Sequence, residues 1–162
     1  MRKALYGIWM ACVALAMSSC TGDLVYSHYE NVAPANGKII GPNNWHMDSV
    51  ARFAYTIDDS VSDYRILLRV RHMENYPYQN MWLFVNDGMQ TDTIEFYLAD
   101  DRGRWLGNSH QGFYDMPVLY EESKHYPDTG AYTLEVSHAM RDTLLRGVTH
   151  IGVEVRKNKQ AD

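Results

Sequence analysis

The sequence predicts an all-β protein: an antiparallel β-sandwich of about seven to eight strands with one short helix near the C-terminus. Two observations carry this. Apolar and polar residues alternate with period two in separate short stretches from Phe53 onward, and the stretches are divided by clusters of Asp, Asn, Ser and Gly. Period two places one face of a strand inward, and many short strands with turn chemistry between them suit a sandwich.

The chain begins differently. Met1-Arg2-Lys3 is followed by an apolar run from Ala4 to Met17 and then Ser18-Ser19-Cys20. A positive head, a short apolar stretch and small residues before a cleavage point make a secretory signal peptide. The run falls short of the roughly 20 apolar residues a membrane span needs. A cysteine directly after two small residues resembles the lipobox of bacterial lipoproteins, with Met17 where Leu is commonest. That resemblance implies cleavage after residue 19 and acylation of the Cys20 thiol.

The mature chain, Cys20 to Asp162, holds 143 residues, which suits one domain. Cys12 lies in the signal and Cys20 would carry lipid, so no thiols remain to pair and the fold must rest on its apolar core. Trp45, Trp82, Trp105 and eleven of the twelve tyrosines stay in the mature part. Of the 15 basic residues Arg2 and Lys3 go with the signal, leaving 13 against 20 acidic and a formal charge of −7. That balance argues against nucleic acid, whose binding neutralises phosphates with Lys and Arg. It also makes the acyl chain, and not charge, the expected link to a membrane.

Residues 20–44 contain Gly22, Pro34, Gly37, Gly41 and Pro42 and read as a lipidated tether. Val25 to Tyr29 is a candidate edge strand inside it, so a tether docked on the domain is the open alternative. The sandwich is assigned to residues 45–157 and a short tail to 158–162. Phe53, Tyr55 and Ile57 share one strand face, and Asp58-Asp59-Ser60 make a turn. Tyr64 to His72 alternates Ile66, Leu68 and Val70 against arginines, as a strand with one solvated face does. Met81 to Val85 is a continuous apolar run, read as a strand buried on both faces, and Asn86-Asp87-Gly88 is a turn signal.

Ile94, Phe96 and Leu98 alternate next, and Asp100 to Gly107 is a loop or hairpin tip. Asn108 to Thr129 reads as irregular, with one strand near Pro117 to Tyr120. Tyr132, Leu134 and Val136 alternate. Ser137 to Arg146 has helix-like spacing with Gly147 as its stop. The last strand, His150 to Arg156, turns Ile151, Val153 and Val155 inward.

Motifs of catalysis are not found: there is no nucleophile elbow, phosphate loop, zinc-protease motif or dinucleotide fingerprint. The seven histidines are scattered, away from zinc-ligand spacings. The acid pairs Asp58-Asp59, Asp100-Asp101 and Glu121-Glu122 read as solvated turn residues, and the Asp100 loop lacks the full ligand series of a calcium loop. No enzyme activity, metal or cofactor is expected. Two segments stand out instead. Tyr76-Pro77-Tyr78, in the connection before Trp82, presents rigid aromatic surface of the kind enriched at interfaces and sugar-binding faces. Gly103-Arg104-Trp105-Leu106-Gly107 is the other. Tyr76, Tyr78, Arg104 and Trp105 are therefore the candidate partner-binding residues, against the plainer reading that these rings fold back onto the core.

The same segments carry a family resemblance. Arg71 to Phe84 (Arg-His-Met-Glu-Asn-Tyr-Pro-Tyr-Gln-Asn-Met-Trp-Leu-Phe), Asp92 to Gly107 and Gly130 to Arg141, continued by Leu145 to Val155, are similar to blocks of the gliding-motility lipoprotein GldH family. The resemblance implies a β-rich outer-membrane lipoprotein of the Bacteroidetes group, linked to gliding and its associated protein secretion, with no catalytic residue to carry over. It implies a non-enzymatic structural or assembly component whose partners are envelope proteins of that machinery. A carbohydrate-binding lipoprotein using Tyr76, Tyr78, Trp82 or Trp105 as stacking platforms is the alternative. Thr21-Gly22-Asp23-Leu24 lacks the dense acidic run that looks like a surface-display signal in this group, so a periplasm-facing position is expected.

Overall fold

The computed structural model describes residues 23–32 and 44–158. The signal peptide, Cys20 and most of the 158–162 tail lie outside the described residues. Eight strands of seven or more residues form: β1 (Leu24–Asn31), β3 (Ala51–Ile57), β4 (Asp63–Met73), β5 (Asn80–Asn86), β6 (Thr91–Tyr97), β8 (Phe113–His125), β9 (Gly130–His138) and β11 (Val148–Lys157). Three three-residue strands join them, β2 (Asn44–His46), β7 (Asn108–His110) and β10 (Leu144–Arg146). One sheet has the order β1-β11-β4-β8-β7, the other β3-β9-β5-β6, with β10-β2 as a small ribbon; every pairing is antiparallel.

The core is what the period-two reading implies. Phe53, Tyr55 and Ile57 of β3, Met81, Leu83 and Val85 of β5, and Leu134 and Val136 of β9 face Tyr64, Ile66, Leu68 and Val70 of β4 and Ile151, Val153 and Val155 of β11. Side chains of the two inner faces fill the space between the sheets, as in other sandwiches. The arginines of β4 point to the opposite face, toward solvent.

The structure differs from expectation at three places. No helix forms over Ser137–Arg146. Ser137 and His138 complete β9, Ala139 N donates to the Trp82 carbonyl at 2.8 Å, and Leu144–Arg146 pairs with β2. A helix of that length is marginal by itself, and placing Leu145 beside the fully buried Trp45 of β2 outweighs it. Met81–Val85 is buried on one face only: Trp82 and Phe84 are 37% and 42% exposed, because among the described residues no layer covers the outer face of the four-stranded sheet. The stretch read as irregular from Asn108 to Thr129 contains β8, the longest strand, paired with β4 along its length. Two register shifts in that pairing interrupt the alternation that would have marked it. Pro117 is tolerated because β7 pairs with β8 only as far as Asp115, so a free edge begins there.

Between tether and docked strand, the structure has the second. Leu24–Asn31 pairs with β11 from Arg156 to His150, and Tyr26 and His28 pack on Tyr55 and Phe53 of the other sheet. β1 thus closes one side of the sandwich.

Burial of titratable groups makes the fold acid-sensitive. Burial holds the His72, His138 and His150 imidazoles below their ordinary value of 6.5, since the charged form loses hydration. Burial would raise Asp87, but hydrogen bonds from Lys124 and from the Gln90 and Met89 amides hold it down to about 2. For each group the folded pKa is depressed, so the unfolded chain binds more protons as the pH drops. The histidine contribution is complete above 6.5 and declines below it; the Asp87 contribution is complete above 3.8 and is lost toward 2. Melting temperature is therefore expected to fall in two stages, read from melts at about pH 7.5, 5.5 and 2.5. His138→Gln, which keeps a donor for the Trp45 carbonyl, shrinks the first stage and leaves the second. A flat profile between pH 7.5 and 5.5 contradicts this account.

Candidate functional site

The end of the sandwich where β4 finishes and β5 begins gathers the sequence-predicted residues. The connection Glu74–Gln79 leaves β4 and is clamped by the turn between β10 and β11. Gly147 there has φ +80°, and a Cβ on it would stand 2.8 Å from Tyr76 N, so only glycine allows this approach. Met73 N donates to the Gly147 carbonyl at 2.7 Å. Tyr76 is thereby driven inward: it is 3% exposed, and its hydroxyl donates to the Asn80 carbonyl at 2.8 Å.

Around it stand four other rings. His72, the last inward position of β4, lies 5.6 Å from Tyr76, 4.7 Å from Trp105 and 5.5 Å from Tyr114, stacked on the last. Tyr78 meets Tyr76 edge-on at 6.0 Å, and Trp105 lies 6.2 Å from it. Such tilted and edge contacts suit the ring quadrupoles. His72 donates from Nδ1 to the Met73 carbonyl in the tautomer that leaves Nε2 bare among these rings.

The structure thus brings Tyr76, Tyr78 and Trp105 together but assigns them different layers. Tyr76 belongs to the core, as the plainer reading had it. Trp105 is half-buried against the core, carried back by its bridge to Ala99 and by the bond from Leu106 N to the Leu98 carbonyl. Tyr78 is 38% exposed and donates to Asp142 Oδ2 at 2.8 Å. Arg104 is the most open: Asp100 accepts from its Nε at 2.8 Å and from its backbone N, and this ring of bonds shapes the loop. The Arg104 backbone bond and then its side chain hold the Asp100 carboxyl below the usual carboxylate range. That pairing gives Asp100 a structural part in the loop.

His72, Tyr114 and Asp142 were not singled out from the sequence. The alternation of β4 already places His72 inward, whereas Tyr114 falls in the stretch Asn108 to Thr129 that the sequence reading takes as irregular. Beside the cap, Trp82 and Tyr97 (61% exposed) stand on the bare outer sheet face with the bond between Asn80 and Glu95 near them. A groove of about 460 Å³ lined by Tyr78, Asn80, Trp82 and Met140 connects cap and face.

Fold and site define an all-β sandwich domain with one end closed by an aromatic cap and one sheet face open. A family model described as GldH lipoprotein matches residues 31–155, and the chain belongs to that family. It is 25% identical over 170 residues to the gliding motility lipoprotein GldH homolog of Christiangramia forsetii, covering 98% of this chain and 99% of the relative. To the gliding motility lipoprotein GldH of Flavobacterium johnsoniae it is 26% identical over 156 residues, covering 89% and 91%. Among solved structures, that of dimeric latent PorU from Porphyromonas gingivalis overlaps 84% of this chain at 7% identity and a TM-score of 0.39, and the chain spans 13% of that protein.

Proposed function

We propose that this protein is a lipid-anchored, non-enzymatic component of an envelope complex that serves gliding motility and its associated protein secretion. It is attached to the outer membrane through acylated Cys20 and faces the periplasm. The observation that carries the binding role is the aromatic cap: Tyr78 rests edge-on against Tyr76 and bonds to Asp142, and Arg104 in the neighbouring loop is held by Asp100, so little side-chain freedom is lost when a partner covers them. The names of the relatives support the gliding-motility part of this reading. The direct test is crosslinking in intact cells followed by identification of neighbours, comparing the wild-type chain with Tyr78→Ala and Arg104→Ala. Loss of the same envelope neighbours in these variants supports the reading, and unchanged crosslinks remove the cap from it.

The anchor has its own test. Cys20→Ser is expected to shift the protein from the membrane to the soluble fraction with an unchanged melting temperature, since no core contact is involved. A serine variant that stays with the membrane after a salt wash contradicts lipid as the main attachment. Added protease should spare the protein in intact cells and cut it once the outer membrane is opened.

One observation favours a second reading, a carbohydrate-binding lipoprotein. Trp82 and Tyr97 are exposed on one sheet face with amide and carboxylate groups beside them, the pairing of ring faces and hydroxyl partners that sugars use. Retardation in glycan affinity gels that Trp82→Ala abolishes would favour it.

A further inference from the structure

The chain enters the fold at the end opposite the aromatic cap. Leu24 lies beside Arg156, the Asp23 carbonyl accepts from Lys157 N at 2.7 Å, and Asn158 N donates to the Asp63 carbonyl where β4 begins. β8 finishes at the same level, with His125 opposite Asp63. In the other sheet this end holds the finish of β3, where Ile57 faces Gly130, and the turn between Asn86 and Thr91 that joins β5 to β6. Bonds between the sheets tie the end together: Lys124 to Asp87 at 2.9 Å, Tyr120 to Asp92 at 2.6 Å, and Lys157 to Asp59.

Two connections at this end carry apolar side chains on their tips. Met89 is 94% exposed and Val61 is 78% exposed, the two most open of the large apolar residues described. Neither tip is loose. Asp87 Oδ1 accepts from Met89 N and Gln90 N at 3.0 Å each, and Asp59 Oδ1 accepts from Val61 N at 2.8 Å. The turns are built to hold these side chains outward.

Cys20 stands three residues before Asp23. Three residues at full extension reach about 10 Å, whereas the eleven residues of β4 run roughly 35 Å from this end to the cap. An acyl chain on Cys20 therefore keeps the entry end at the headgroup layer. Pairing of Asp59 with Lys157 and Asp87 with Lys124 offsets part of the charge there, with Asp58, Asp63 and Asp128 adding further acid. The contact it suits is the apolar margin of a zwitterionic bilayer, since anionic headgroups would be repelled.

We propose that the entry end is a membrane-docking surface. Met89 and Val61 enter the headgroup region of a phospholipid bilayer, and the cap with Tyr78 and Arg104 is held away from it, toward partners. This rests on the reading of Cys20 as acylated. It gives the anchor a second task, that of setting which end of the domain is displayed.

The test uses the acylated protein in phosphatidylcholine vesicles containing a fraction of lipid with a nitroxide on its headgroup. The acyl chain blocks Cys20, so Met89→Cys, Val61→Cys and, at the far end, Arg102→Cys each accept one fluorophore. Residues 61, 89 and 102 are all exposed, and unchanged melting temperatures check each variant. The expected result is loss of emission at 89 and 61 and none at 102. Protein that fails to float with the vesicles overturns the acylation reading and the docking with it. Protein that floats, with 102 quenched as strongly as 89 or with none of the three quenched, overturns the docking alone. Shielding of 89 from an aqueous quencher without quenching by the lipid nitroxide means that a second copy or another protein covers this end, and also overturns it.

Discussion

Tyr76→Ala lowers the melting temperature by on the order of 10 °C, whereas Tyr78→Ala, two residues away, leaves it nearly unchanged. The asymmetry follows from burial. Truncating a fully buried aromatic ring costs about 3–5 kcal/mol, and in a domain of this size each kcal/mol moves the midpoint by roughly 2–4 °C. Tyr76 is 3% exposed and touches the rings of His72, Tyr78 and Trp105. Its removal also leaves the Asn80 carbonyl without its donor at the start of β5. Tyr78 loses one edge contact and a hydrogen bond to Asp142 that water replaces, the scale of an ordinary surface change of about 0.5 kcal/mol. Tyr76→Phe separates ring from hydroxyl and should retain most of the stability. If Tyr76→Ala melted within a few degrees of wild type, the cap would not be part of the core, and Tyr76 would return to the set of display residues.

How far such distinctions are legible in the sequence varies along the chain. β3, β4, β9 and β11 announce themselves, because the core-facing positions of each are apolar and the positions between them are mostly polar or small, so alternation survives even in β11, whose outer face is covered. Met81–Val85 misleads for a specific reason: Trp82 and Phe84 are apolar yet lie on the open face, so composition looks doubly buried where geometry is not. β8 is hidden because its pairing shifts register beside Ile66 and because its outward positions, Asp115 and Pro117, follow no hydrophobic rule. Leu144–Arg146 is drawn into a ribbon by Trp45, 100 residues away in sequence at Leu145, and local spacing carries no trace of that. At the candidate site the residue types are visible and their layers are not. Tyr76 and Tyr78 look alike in a Tyr-Pro-Tyr string, and the inward turn of the first depends on Gly147, far along the chain.

Asp115→Ala is expected to destabilise the protein by about 2–3 kcal/mol and to loosen β1 first. The carboxylate lies on the outer face of the five-stranded sheet, 15% exposed, at the centre of a charge cluster. Arg69 Nε donates to Oδ1 at 2.9 Å, Arg71 Nη2 to Oδ2 at 3.0 Å and the Tyr29 hydroxyl to Oδ2 at 2.6 Å. Burial alone would raise its pKa, yet the bonds from Tyr29, Arg71 and Arg69 outweigh it and hold the carboxyl below the usual range. The Tyr29 ring reaches this point across β11 because residue 152 is glycine: a Cβ there would fall 2.8 Å from Tyr29 Cδ1. Arg71 then covers the ring, its Cζ 4.5 Å from the centroid. Removing Asp115 strands two guanidinium groups on one face of β4, with Glu154 left beside Arg69 at 3.7 Å. Breaking a fully buried pair costs about 3–5 kcal/mol, and partial exposure of this cluster reduces that. Asp115→Asn keeps acceptors and should lose less. Because Tyr29 is the only one of these partners on β1, the loss should concentrate there. Amide exchange in Leu24–Asn31 should accelerate more than in β4, and Tyr29→Phe combined with Asp115→Ala should cost less than the two separately. Melts unchanged by Asp115→Ala would mean that the cluster is solvated and idle. If β1 does open, its eight residues join the short link to Cys20, and the leash grows by roughly 25 Å at full extension. With Cys20 acylated as proposed, Asp115 would then govern how closely the domain is held to that anchor.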